Sequence, residues 1–145
     1  MQDSDMMGRI KESAMKNVSE EGTMTPILLL KIQGREQMIC TAPDMSTQET
    51  KSNTIDLIKR MIASGVLEEF VMVCEASRRE KDGGSESQDC ILIMHSSRSR
   101  EVLHMCDIVR GESISFGDWS ECSDARYFGQ GSFNNLFDRV ACSNN

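Results

Sequence analysis

Leu67-Glu68-Glu69-Phe70-Val71-Met72-Val73-Cys74-Glu75-Ala76 carries apolar residues at consecutive positions through its middle. Successive side chains of a strand point to opposite faces, so an unbroken Phe70–Cys74 run buries both faces. This segment is therefore read as a central strand with cover on each side.

Just before it comes the clearest helix of the chain. Ser46 stands three residues ahead of Glu49, the spacing of a capping box. Ile55, Ile58, Met61 and Ile62 then share one face, with Asp56, Lys59 and Arg60 off it, and Gly65 suits the left-handed position that ends a helix. Further upstream, Pro26 opens Ile27-Leu28-Leu29-Leu30-Lys31-Ile32, too short for a helix and apolar on both faces. The turn Gln33-Gly34-Arg35-Glu36 brings back residues 37–41 as a hairpin partner. At the start, Met7, Ile10, Ala14 and Val18 recur at helical spacing across residues 5–19, and Glu20-Glu21-Gly22 ends that helix.

Downstream, an eleven-residue loop from Arg78 to Gln88 contains Asp82-Gly83-Gly84-Ser85. Cys90–Met94, a short turn near Arg98-Ser99, and Val102–Val109 follow as strands. In Ser113–Trp119, Ile114 and Phe116 alternate with serines, the pattern of a strand with one wet face. The expected fold is α+β in the order α-β-β-α-β-β-β, a mainly antiparallel mixed sheet with helices packed on its faces. Residues 1–145 read as one domain: an N-terminal helix in 1–22, a sheet and central helix in 23–119, and a loop-rich tail in 120–145. A helical turn at Phe133–Phe137 is the tail's one regular feature.

That order of elements is similar to roadblock, longin and profilin-like domains, a likeness of topology without a shared motif. Phe70-Val71-Met72-Val73-Cys74-Glu75-Ala76, the strands after it and Gly131-Ser132-Phe133-Asn134-Asn135-Leu136 also resemble a loose group of small prokaryotic and phage-type proteins, over residues 25–137. Neither resemblance implies an activity.

Bulk properties narrow the class. With 39% hydrophobic and 27% charged residues in 145, the chain has the composition of a folded domain rather than a disordered one. Its net charge is −7, and the one Arg-rich stretch, residues 78–110, holds as many acids as bases. A nucleic-acid ligand or an anionic membrane calls for a basic footprint, so neither is expected as a partner. No apolar run approaches the roughly 20 residues that cross a bilayer. The acidic start Met1-Gln2-Asp3-Ser4-Asp5 does not read as a secretory leader, so a cytoplasmic location is expected. The six cysteines, most of them in apolar runs and none in C-x-x-C spacing, read as free thiols packed like small hydrophobes. A zinc knuckle or redox pair is therefore not expected.

Few side chains offer chemistry. His95 and His104 are the only histidines. A two-residue turn at Arg98-Ser99 would pair Ser97 with Arg100 and set both rings diagonally on one face, whereas one more turn residue would send them to opposite faces. On one face they could act as acid and base or share a metal, with Asp107 or Glu75 in support; otherwise they are half-exposed sheet residues. His104-Met105-Cys106 puts a base two residues from a thiol, the arrangement of a cysteine nucleophile, although Cys74 and Cys90 compete for that role. Gly129-Gln130-Gly131-Ser132 lacks the lysine of a phosphate-binding loop and reads as tail with Ser132 as an N-cap. Asp118, Glu121 and Asp124 lack calcium-loop spacing and read as a solvated face. The arginines at Arg78-Arg79 and Arg98-Ser99-Arg100 mark hairpin ends able to meet a phosphate or an acidic partner.

The expectation is a non-catalytic module that assembles as a homodimer or with another protein, because two helices do not evidently cover so much apolar sheet. The alternative is a small hydrolase or transferase using His95 and His104, with Cys106 as nucleophile. A third reading, an acidic mimic that occupies a nucleic-acid-binding protein, follows from charge alone. No cofactor or metal ligand is assigned.

Overall fold

The computed structural model describes residues 3–79, 87–123, 133 and 136–143. Its elements run α1 (Asp3–Glu21), β1 (Ile27–Ile32), β2 (Ile39–Thr41), α2 (Gln48–Ala63), β3 (Leu67–Arg79), β4 (Ser87–Ser97), β5 (Glu101–Arg110), β6 (Ile114–Phe116), β7 (Ser120–Cys122) and α3 (Leu136–Ser143). The fold is α+β, as the sequence predicts. The strands form one sheet in the order β2-β1-β3-β4-β5-β6, and β7 pairs with β5 alongside β6. Every pairing is antiparallel, so the mixed sheet of the sequence reading is antiparallel throughout.

Alternation along the central strands builds two cores. Leu28 and Leu30 of β1, Phe70 and Met72 of β3, Met94 of β4 and Leu103 of β5 point one way, onto Ile55, Ile58 and Ile62 of α2. Val71 and Val73, Ile91 and Ile93, and Ile108 point the other way, onto Met7, Ala14 and Val18 of α1. The second face is thus covered by α1. A register shift between Lys31 and Ile32 lets Leu67 rejoin the α2 side, although Glu69, two residues on, faces α1.

Local chemistry sets the helix ends. The N-cap of α2 is Thr47, one residue after the expected Ser46: Thr47 Oγ1 accepts from the Thr50 amide at 3.0 Å, and Thr50 Oγ1 accepts from the Thr47 amide at 3.1 Å. Ser46 is held instead by Asp44, whose carboxylate accepts from its amide at 2.9 Å. The helix ends at Gly65, whose φ of 83° fits the left-handed geometry expected there.

The tail departs from the loop-rich expectation in two places. β7 adds to the β5 edge at Leu103–Met105, and α3 packs Leu136, Phe137 and Val140 into the α2-side core together with Phe133. Phe137 stacks on Phe70, ring centroids 6.1 Å apart and planes 14° from parallel. Glu80, Lys81 and the Asp82–Ser85 loop tip lie outside the described residues, as do Asp124, Tyr127, Phe128 and Gly129–Ser132. None of the described helices is long and apolar enough to cross a membrane.

Candidate functional site

The β4–β5 hairpin positions the histidines. The Ser97 amide donates to the Arg100 carbonyl at 2.9 Å, leaving Arg98-Ser99 as a two-residue loop. His95 therefore pairs with Val102, and Ile93 with His104. Both rings leave the α1 face of the sheet in the diagonal relation that this turn length dictates.

They open into one cavity of about 370 Å3. Val102 forms apolar wall between the rings, and Met7 of α1 contributes from above. Ser97, Ser99 and Arg100 line the end at the turn. Two carboxylates that the sequence reading did not assign to the site flank it. Glu69 stands opposite Ser97 in the β3–β4 ladder, and Glu121 of β7 stands opposite His104.

The two histidines differ in their surroundings. His95 Nε2 lies 3.5 Å from Glu69 Oε1, close enough for an ionic contact, but it forms no hydrogen bond. His104 is 7% exposed, and its Nδ1 has no hydrogen-bond partner among the described residues. Burial is the main cause that pushes the His104 pKa below its ordinary value. The Lys11 charge acts the same way, Glu121 opposes it, and His95 and Arg100 add to the lowering. At neutral pH the His104 ring is therefore uncharged, its Nδ1 buried and unpaired while the residue lines the cavity. Leaving a buried polar atom unpaired costs about 1–3 kcal/mol. That is a sizeable fraction of the 5–15 kcal/mol or so by which domains are stable.

The remaining candidates lie elsewhere. Cys106 shares the His104 face but is 1% exposed and does not line the cavity. Its Sγ donates to the Gly117 carbonyl at 3.2 Å, and burial, with Asp107 and Asp118, pushes its pKa up. A buried thiol with a raised pKa is a poor nucleophile. Cys74 is pushed to about 11, again chiefly by burial. Cys40, Cys74, Cys90, Cys106 and Cys122 are free thiols. Asp107 follows Cys106 onto the opposite face of β5, and Glu75 pairs with Arg110 at 3.2 Å, so neither supports the histidines. No cluster of three or more His, Cys, Asp or Glu among the described residues is placed to hold a metal ion.

At the turn itself, Arg98 points away from the cavity. It donates to the Ile62 carbonyl at the end of α2 at 3.3 Å, and its guanidinium lies 5.8 Å from the Phe137 ring. It ties the hairpin to the α2-side core, leaving Arg100 on the cavity side. Compared with family models, curated proteins and solved structures, the chain matches none.

Proposed function

We propose that this chain binds a small polar molecule between His95 and His104 and moves a proton at His104, as a small hydrolase or transferase would. The observation that carries this reading is the cavity that His95 and His104 both line, together with the buried, unpartnered Nδ1 of His104. A neutral imidazole is the side chain best suited to taking and returning a proton near pH 7. His95 beside Glu69 is the matching partner on the other side of Val102, its ring steered by the carboxylate. Cys106, buried off the cavity with its thiol pKa pushed up, has no part in this scheme.

The competing reading, an assembly module, drew its support from sheet that α1 covers. The large apolar side chains left exposed among the described residues are Ile39, Leu57, Val66 and Val109. They belong to β2, α2, the α2–β3 turn and β5, and single exposed apolar residues are ordinary on any protein surface.

The test is a fragment screen read at the side chains. Long-range 1H–15N NMR resolves both imidazoles of the intact chain while several hundred small polar fragments are added. The expected outcome is a set of fragments that perturb His95 and His104 together and leave the α2-side methyl resonances in place. A screen in which no compound moves either ring rejects the reading.

A further inference from the structure

We propose that the ligand of this cavity carries an oxyanion, as a phosphate monoester or a carboxylate, held at the β4–β5 turn by Arg100, Ser97 and Ser99. The inference rests on the cavity being a ligand site, and it adds the chemical class that the site accepts.

The donors converge at one end. Ser97 Oγ and Ser99 Oγ lie beside the Arg100 side chain, hydrogen-bonded to each other at 3.2 Å, and Ser97 Oγ also donates to the Arg100 carbonyl at 3.3 Å, contacts that an incoming oxyanion would replace. Each hydroxyl can rotate its proton toward an acceptor. Arg100 carries five N–H donors in a planar fork. Its ion pair with Glu121 is a single contact of 3.9 Å between side chains that are 68% and 57% exposed. A pair that long and that exposed contributes little, so the fork is free to take an oxyanion with two parallel bonds.

Charge permits an anion here despite the chain's net −7. Glu69 sits against His95, and Glu121 against Arg100. Lys11 adds a positive charge close enough to be felt at His104. The charges around the cavity thus roughly cancel, in a chain whose net charge is −7. A ligand anchored at the turn by its anionic group would extend over Val102 toward His104. The cavity's size, about 370 Å3, is at the lower end for small-molecule sites. This suits one anionic group and a short body rather than a nucleotide.

The test uses the full chain and three simple probes at constant ionic strength and pH 7.5: inorganic phosphate, acetate and methylammonium. Amide and Arg side-chain NMR signals report binding, and the two imidazoles are followed in parallel. Phosphate or acetate should shift Ser97, Ser99 and the Arg100 guanidinium, and methylammonium should not. Arg100→Gln should weaken phosphate binding about tenfold, the scale of losing hydrogen bonds to a charged group. Arg98→Gln, in the same turn but facing away, should leave binding unchanged. Phosphate binding tighter than acetate would identify a phosphate ester, and the reverse order a carboxylate. Equal phosphate affinity in Arg100→Gln and the unaltered chain overturns the assignment. Methylammonium or neutral fragments moving both imidazoles while anions do not would overturn the oxyanion and leave the cavity reading standing. Silence at both rings and at Ser97, Ser99 and Arg100 for every probe and fragment would overturn both.

Discussion

Across β3, β4 and β5 the side chains divide between two faces of unequal character. Toward α2 and α3, Phe70, Met72, Met94 and Leu103 continue as apolar surface and meet Ile55, Ile58, Ile62, Leu136 and Phe137. Toward α1, the pattern changes partway along. Val71, Val73, Ile91 and Ile93 meet Ala14 and Val18, but the same rows then reach Glu69, His95 and Ser97, where Met7 covers an open space rather than a packed core. One face is committed to stability along its length. The other is split, with packing under the middle of α1 and polar chemistry under its beginning. A domain can carry unpaired polar groups in such a place only because the opposite face is well packed, and this ranks the effects of substitutions.

The largest effect should come from the closed face. Phe70 is fully buried and stacks on Phe137, which also holds α3 to the sheet. Phe70→Ala removes the ring and leaves a cavity, at a cost of about 3–5 kcal/mol. Urea unfolding of the variant and the parent measures it. A loss under about 1.5 kcal/mol would mean that this face tolerates holes, and the contrast between faces would fail.

The packed half of the α1 face should respond less. Val18 is fully buried in the core that α1 shares with Val71 and Val73, so Val18→Phe pushes the helix outward. Overpacking of this kind costs about 1–3 kcal/mol. Because α1 also supplies Met7 to the cavity, the same variant should disturb the His104 resonances. Unchanged His104 signals in a destabilised protein would show that the two halves of this face are independent.

How much of this contrast was readable beforehand depended on whether the signal was local. Consecutive apolar residues at Ile27–Ile32 and Phe70–Cys74 could be explained only by burial on both faces, and the sheet bears this out. For the histidines a period of two left two answers open, one face or opposite faces, and only the hydrogen-bonded two-residue turn at Arg98-Ser99 selects the shared face. α3 also had a signal: Phe133, Leu136, Phe137 and Val140 stand at helical spacing, but Asn134 and Asn135 interrupt the run and made the tail look like loop. β7 had none, since Ser120-Glu121-Cys122 has no apolar period and is ordered only by the β5 edge. That is why Glu121 looked like part of a solvated acidic face and Glu69 drew no reading of its own. Their place beside the histidines is set by pairings between distant segments, which composition and spacing do not encode.

Acidification should expose the open half. The folded pKa of His104 is lowered from 6.5, so the unfolded chain takes up a proton before the folded chain does. The stability linked to the neutral ring is fully present above pH 6.5 and is lost as pH falls through the lowered folded value. Urea midpoints measured from pH 7.5 to 5.5 should therefore decline, and His104→Gln should flatten that decline. Parallel slopes in parent and variant would remove His104 as the cause.

The finest test concerns Lys11, whose effect should be smallest. Its Nζ lies 5.2 Å from the centre of the Trp119 ring, so it joins α1 to the segment between β6 and β7 at the edge of the open half. A partly exposed cation–π contact is worth about 0.5–1 kcal/mol. Lys11→Met keeps an unbranched apolar stem over the indole and should lose no more than about 0.5 kcal/mol. Its electrostatic effect has a definite sign. The Lys11 charge disfavours a proton on His104, so removing it should move the His104 titration up toward 6.5. Glu121 acts in the opposite sense, so Glu121→Gln should move the same titration down. NMR titration of the His104 ring in parent and both variants measures each shift. High salt should shrink both shifts if the charges act through solvent, and leave them if they act through the protein interior. Opposite shifts would establish that α1 and β7 jointly set the charge state of the ring. Shifts in the same direction, or none, would mean that burial alone controls His104 and that the open half is merely under-packed.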